Sequence, residues 1–421
     1  MRTLYTWLLY AALPWVLARL WWRGRREPGY REALAERFGF STLEPKPKLL
    51  WLHAVSVGEA RACAPLVRAL QREYPDHELL VTCLTASGRE TVKQVFGESV
   101  LLAYLPYDYP RAVRRFLEHF RPRLGVLVET EIWPNLVQAC RQYGVPVVLA
   151  NARMSHRSAR GYRRLGWLSQ PAFASLAAVC AQGAADARRL TRLGAREVTI
   201  AGNLKFDIEP DAAKVAEGRA FRAALGQRKV LLFASTREGE EERLLEEAGD
   251  TDDSTLLVLV PRHQQRFDAV ASLAERMGFT VARRSLGEAP HQGRRSCLYL
   301  GDTMGEMAFY YALCDVAVIG GSFEPLGGQN LIEGCAAGVP VITGPHMFNF
   351  ADVTRLAVRA QAALQLPDAA AALRVARDLL ADPERCARMG VAARRLCARH
   401  RGAAERHLAV CRRLLTGQGR G

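Results

Sequence analysis

A chain of 421 residues, 49% hydrophobic and 24% charged, can build two to three buried cores at roughly 150 residues per domain, which excludes a disordered chain. Its excess of 58 Lys and Arg over 43 Asp and Glu is uneven: residues 1–205 hold 30 basic and 16 acidic side chains, and residues 206–421 hold 28 and 27. One half is therefore expected to face something anionic while the other does different work.

The amino terminus comes first. Residues 3–18 are uncharged, Arg19, Arg23, Arg25 and Arg26 follow, and no acid precedes Glu27. Extended through Trp22, the segment has about 20 residues, about 30 Å as a helix, which just spans a bilayer. Trp7, Trp15, Trp21 and Trp22, four of the seven tryptophans, stand where interfacial anchors are expected, and the arginines leave the body of the protein in the cytoplasm. No A-x-A-like cleavage site precedes the basic cluster, so a cleaved signal peptide fits poorly. Pro14 and the short uncharged run also suit a helix lying flat in the interface. Both readings hold the chain at a membrane.

From Leu49 onward, apolar runs alternate with helical patterns. The predicted strands of the first half are Leu49–Val55, Leu79–Thr82, Val100–Tyr104, Leu124–Val128, Val145–Ala150, Ala177–Ala181 and Val198–Ala201. Those of the second half are Val230–Ala234, Thr255–Val260, Thr280–Ala282, Cys297–Leu300, Val316–Ile319 and Val339–Ile342. Continuous apolar character suits strands buried on both faces of a parallel sheet. The pattern predicts two doubly wound, Rossmann-like α/β domains, residues 27–205 and 229–390, with a cleft between them. A polar stretch at 206–228 reads as a linker, 1–26 as an anchor and 391–421 as a helical segment. The ten cysteines show no CxxC and no regular spacing, which disfavours a disulfide framework or zinc site and points to a reducing compartment, the cytoplasm.

Polar motifs recur where strands end. His53 to Glu59 runs from a strand into a turn and a helix, and a carboxylate at Glu59 faces free backbone N–H groups. Ala54-Val-Ser56-Val-Gly58 also nearly matches a nucleophile elbow, although a hydrolase of that kind has several strands before it. Glu129 and Glu131, at i and i+2 of a strand end, point the same way, a costly pairing unless one is protonated or a cation is near. Trp133-Pro134 then opens a helix. Lys205 is one of only six lysines against 52 arginines, which suggests a specific need for a compact ammonium. Ser235-Thr-Arg237 and Pro261-Arg262-His263 follow the first two strands of the second half, and Arg262 suits bidentate phosphate binding. Gly301 to Glu306, including Gly305, and Gly320 to Glu333, including Gly327 and Gly328, each lead into a helix and permit close backbone approach to an anion. Asn330 and Glu333 share a helix face, and a carboxylate there accepts hydrogen bonds from a ribose diol. Neither loop is G-x-G-x-x-G or a P-loop, so dinucleotide and ATP readings lose support. Each motif has a plain reading beside the functional one: a helix cap, a polar loop, a structural histidine.

Taken in order, HAVSVGE (53–59), ETEIWPN (129–135), GNLKFD (202–207), PRH (261–263), GDTMGE (301–306), GGS…GGQNLIE (320–333) and GPHMFNF (344–350), with the Trp-rich anchor, resemble the 3-deoxy-D-manno-octulosonic acid (Kdo) transferase family that acts on lipid A precursors in Gram-negative bacteria. The resemblance covers essentially the whole chain. It implies a GT-B fold, CMP-Kdo as donor, lipid IVA as acceptor, inversion at the anomeric carbon, and neither metal nor cofactor. It places the anchor in the inner membrane and the catalytic domains on its cytoplasmic side. By position, Glu59 matches the family's proposed general base, and Glu131 and Lys205 match its reaction centre. Arg262, Gly305, Asn330 and Glu333 match the CMP side, with Ser235, His263, Glu306, Gly327 and Gly328 as neighbouring donor-site candidates. Gln329 replaces a common family His and cannot carry charge, and Gly334 replaces a frequent Pro or Ala. Basic stretches at 111–123 and 153–164 suit anionic lipid and the acceptor's phosphates. Rival readings are another GT-B enzyme that releases UDP and a non-catalytic lipid-binding adaptor. Nucleic acid is disfavoured for lack of a stacking platform or a known module.

Overall fold

The computed structural model describes residues 2–207, 209–249, 254–290 and 296–417. The chain forms two compact units, Met1–Asp207 with His400–Gly421, and Ile208–Arg399.

The first unit is a parallel sheet of β1 (Leu49–His53), β2 (Glu78–Cys83), β3 (Leu101–Tyr104), β4 (Leu124–Val128), β5 (Val147–Ala152), β6 (Ala178–Ala181) and β7 (Val198–Ile200), in the order β3-β2-β1-β4-β5-β6-β7. Alternation along β1 explains why the strand has no polar face. Leu50 and Leu52 join Leu66 and Val67 on one side, while Leu49 and Trp51 join Phe116 and Phe120 on the other. Full burial of each such side chain is worth roughly 1.5–3 kcal/mol. Gly125 in β4 leaves room for the Trp51 ring, which an added Cβ would approach to 2.9 Å.

The second unit repeats the plan with β8 (Lys229–Thr236), β9 (Thr255–Pro261), β10 (Thr280–Arg283), β11 (Cys297–Leu300), β12 (Val316–Ile319), β13 (Val341–Thr343) and β14 (Ala363–Gln365), in the order β10-β11-β9-β8-β12-β13-β14. In each sheet the strand order reverses beside the first strand, between β1 and β4 and between β8 and β12. Ligands of open α/β sheets bind at such points, beyond the carboxyl ends of the strands.

Three features depart from the sequence reading. The expected linker 206–228 contains a helix, Ala212–Ala224. It packs through Gly218, where an added Cβ would lie 2.4 Å from the Phe309 carbonyl oxygen, so close backbone approach replaces the apolar stripe that would have announced it. The edge strand β14 was not expected. The carboxyl-terminal helix Ala403–Leu415 is not a separate segment: Leu408 and Cys411 complete the core of the first unit beside Leu50 and Leu66. The ten cysteines are free, and all but Cys386 are buried.

Residues Arg2–Arg26 form one helix with Pro14 inside it. Among the described residues, no helix is long and apolar enough to cross a membrane. Tyr109 donates from its hydroxyl to the Leu9 carbonyl at 3.1 Å, and the Tyr10 and Tyr109 rings lie 5.1 Å apart. Trp7, Trp15, Trp21 and Leu8 are exposed.

Candidate active site

Three acids gather beyond β1 and β4. The chain leaves β1 at His53 and starts a short helix, Val57–Ala62, whose cap is Ser56. Glu59, in its first turn, accepts hydrogen bonds from the Val55 amide at 2.8 Å and the Ser56 hydroxyl at 2.9 Å. Its carboxylate is thus fixed by its own turn. Burial pushes the Glu59 pKa up to about 7; the Val55 and Ser56 donors oppose the rise, and the charges of Glu129 and Glu131 add to it.

Glu129 and Glu131 do not extend the strand as expected. β4 ends at Val128, and Glu129 has left-handed backbone, φ 63°, so the i, i+2 geometry of a strand no longer applies. The turn splits the two carboxylates between different partners. Glu131 accepts from the Trp133 indole N–H at 3.0 Å, while Glu129 lies 3.8 Å from the Lys205 ammonium. Burial raises the Glu131 pKa, the Trp133 donor opposes this, and Glu129 reinforces it.

Lys205 is delivered by a short turn after β7. The Asn203 side chain accepts from the Lys205 amide at 3.0 Å, and that of Asn151 accepts from the Leu204 amide at 3.1 Å. Asp207 caps the returning carboxyl-terminal helix through the Gly402 and Ala404 amides. The polar residues of GNLKFD therefore build the turn that presents Lys205.

The second unit carries a different chemistry at the equivalent place. Near the end of β8, Ser235 takes left-handed backbone, φ 59°, and just after β9 the Arg262 amide donates to the Thr236 carbonyl at 2.9 Å. Arg237, Arg262 and Arg266 surround His263: burial lowers its pKa, and the three guanidinium charges lower it further. Arg266 also pairs with Glu241 at 3.1 Å. The sequence motif gives Arg237 no mark of a ligand residue; its place in this cluster depends on the fold of the loop after β8.

Gly320 has no room for a side chain, since an added Cβ would lie 2.5 Å from both the Ser235 carbonyl oxygen and the Thr236 Cα. Glu240, buried beneath this loop, accepts from the Gly321 amide at 2.5 Å and the Arg237 amide at 3.0 Å. The glycine-rich loop folds back on itself: the Gly328 amide donates to Gly321 at 2.6 Å, and the Asn349 amide to Gly327 at 3.1 Å. The 344–350 motif thus backs the loop. Asn330 donates to Glu333 at 2.9 Å and accepts from the Ile332 amide at 3.1 Å. The following helix, Ile332–Ala337, has only six residues, too short for much of a macrodipole. Gly334 faces Tyr311 and Val341, each 3.0 Å from an added Cβ.

Gly305 and Glu306 follow β11, and Met307 brings them to the Ser235 hydroxyl, with its sulfur 3.8 Å away. The Glu306 carboxylate is already engaged, by Lys214 at 2.5 Å, by Arg284 at 3.1 Å and by Thr303. Burial disfavours its charged form, but these donors outweigh burial and hold its pKa well below the usual range. Among the described residues, no group of three or more His, Cys, Asp or Glu side chains is placed to hold a metal ion.

A family model described as 3-Deoxy-D-manno-octulosonic-acid transferase (kdotransferase) matches residues 32–208, and one described as Glycosyl transferases group 1 matches residues 290–396. A 3-deoxy-D-manno-octulosonic acid transferase of Bordetella pertussis is 45% identical over 97% of this chain and 98% of its own length. One from Haemophilus influenzae is 37% identical over 97% of each chain. The crystal structure of a putative UDP-N-acetylglucosamine 2-epimerase from Listeria monocytogenes covers 89% of this chain and 99% of its own, at 16% identity and a TM-score of 0.56; that likeness concerns the fold alone.

Proposed function

This chain belongs to the 3-deoxy-D-manno-octulosonic acid (Kdo) transferase family and is a glycosyltransferase of Kdo; from that premise we propose that CMP-Kdo is its donor, lipid IVA its acceptor and Glu59 its general base. The observation that carries the reading is the Glu59 carboxylate, fixed by Val55 and Ser56 and brought by burial to a pKa of about 7. A base is most effective when its pKa lies near the working pH. Glu59 removes the proton from an acceptor hydroxyl as that oxygen bonds to the anomeric carbon of Kdo. The bond from that carbon to the CMP phosphate oxygen breaks on the opposite face, so the configuration inverts.

The departing phosphate gathers negative charge, and Arg262, Arg237 and the glycine-rich loop are suited to receive it. A single phosphate needs less counter-charge than a diphosphate. Glu333, oriented by Asn330, is suited to a ribose diol. Glu306 serves the donor site by fixing its loop, since its carboxylate is committed to Arg284 and Lys214. Lys205 and Glu131 serve the acceptor side.

The helix Arg2–Arg26 lies in the interface of the inner membrane, with the two units on the cytoplasmic side. Exposed tryptophans beside Arg19 and Arg25, whose guanidinium groups lie over the Trp15 and Trp21 rings, support this reading. Replacing Trp7, Trp15 and Trp21 by alanine should abolish flotation with anionic vesicles, and unchanged flotation would assign the membrane contact elsewhere.

One assay tests the reaction itself. Purified protein with CMP-Kdo and lipid IVA should give a lipid product heavier by one or more Kdo residues, with one CMP released for each. No adduct, or turnover of a UDP-sugar in its place, would overturn the reading.

A further inference from the structure

The reaction scheme gives no role to Asn135. Asn135 ends ETEIWPN, yet it is buried. Its contacts join the amino-terminal helix to the loop that carries the acids.

The helix Pro134–Gln142 starts immediately after that loop, and the side chain of its own cap residue, Trp133, does not cap it. Asp108, from the loop after β3, supplies the missing acceptor. Its carboxylate takes the Asn135 amide at 3.0 Å and the Leu136 amide at 2.8 Å, two of the orphan donors of a helix start. The same carboxylate accepts the Tyr5 hydroxyl at 3.0 Å. The Asn135 side chain donates to the Asp108 carbonyl at 2.8 Å and to the Thr6 hydroxyl at 3.2 Å. Tyr5 and Thr6 belong to the helix Arg2–Arg26, whose outer tryptophans are exposed.

Asp108 is only 2% exposed, and burying a carboxylate costs free energy unless its hydrogen bonds compensate. Here those bonds tie a surface helix to a helix start, and two residues before Asn135 the Trp133 indole holds the Glu131 carboxylate. From Tyr5 to Glu131 the path runs through Asp108, the three chain residues Trp133–Asn135 and the hydrogen bonds at either end.

We propose that Asp108 and Asn135 are positioning residues that couple the amino-terminal helix to the loop Glu129–Trp133, so that the seating of that helix sets the acceptor-side geometry. This rests on the reading of Glu59 and Glu131 as acceptor-side acids. The helix then tunes the active site as well as contacting the membrane, and the enzyme works best with the helix engaged.

The test uses the full chain carrying Tyr5→Phe and Thr6→Val, which removes both hydroxyls and keeps every tryptophan. Uniform 5-fluorotryptophan labelling gives a fluorine resonance for Trp133, assigned by its loss in Trp133→Phe. The expected result is a displaced Trp133 resonance and an acceptor kcat/KM about fivefold lower, the loss of roughly one hydrogen bond. The KM for CMP-Kdo and flotation with phosphatidylglycerol vesicles stay unchanged. An unmoved resonance, an unaltered acceptor kcat/KM, or a decline explained by lost flotation would overturn the coupling. Asp108→Asn should move the same resonance further, because an amide turns one acceptor towards the helix start into a donor; no movement would also overturn it. If the wild-type chain transfers nothing to lipid IVA, the functional reading fails, and the fluorine signal still decides the coupling.

Discussion

The two units share one topology and oppose each other in chemistry. At its strand-order reversal the first unit gathers Glu59, Glu129 and Glu131 beside Lys205; at the matching place the second gathers Arg237, Arg262 and His263 beside glycine-rich backbone. The overall charge runs the other way, since the first 205 residues carry nearly all the excess of basic side chains. Net charge therefore describes what a unit's surface meets, while the few side chains at the reversal decide what its site does. An acid that burial holds near neutrality, as at Glu59, suits proton transfer, and arginines with bare backbone suit an anion.

That division can be broken in order of expected effect. Glu59→Gln should lower kcat by about 10²–10⁴-fold, the range for loss of a general base, while calorimetry finds CMP-Kdo bound as before; a matching loss of binding would erase the division. Arg262→Ala should raise the KM for CMP-Kdo about 10–100-fold, as expected for a lost charge-assisted hydrogen bond, with the acceptor KM held. An equal change in both constants would place Arg262 outside the donor site. Gly320→Ala should destabilise the fold by about 1–3 kcal/mol in urea unfolding, because backbone at Ser235 and Thr236 cannot yield to the new Cβ. Gly161→Ala, which meets nothing within 4 Å, should be neutral or stabilising by up to about 1 kcal/mol.

What the sequence made legible follows from burial. Strands such as Leu124–Val128, covered on both faces, announce themselves as unbroken apolar runs. β14 does not, with one buried residue, Ala363, and an exposed Gln365. The helix Ala212–Ala224 looks like a linker in the sequence because only Gly218 in it is buried, and a glycine contact leaves no apolar period. Glu59 and Lys205 stood out by position and composition. The parting of Glu129 from Glu131 did not, because it depends on one left-handed residue. Nor did the tie from Tyr5 to Asp108, which joins residues 103 apart in the chain. Hydrogen bonds between distant segments leave no periodicity behind them.

The most direct measurement is the pH dependence of acceptor kcat/KM at saturating CMP-Kdo. Burial raises the Glu59 pKa to about 7, and the base must be unprotonated to act, so activity should climb about tenfold per pH unit below pH 7 and level off above it. Glu59→Gln should abolish that limb together with the activity. A wild-type profile that stays flat from about pH 5 to 8 would contradict a proton-accepting Glu59 and, with it, the division of chemistry between the two units.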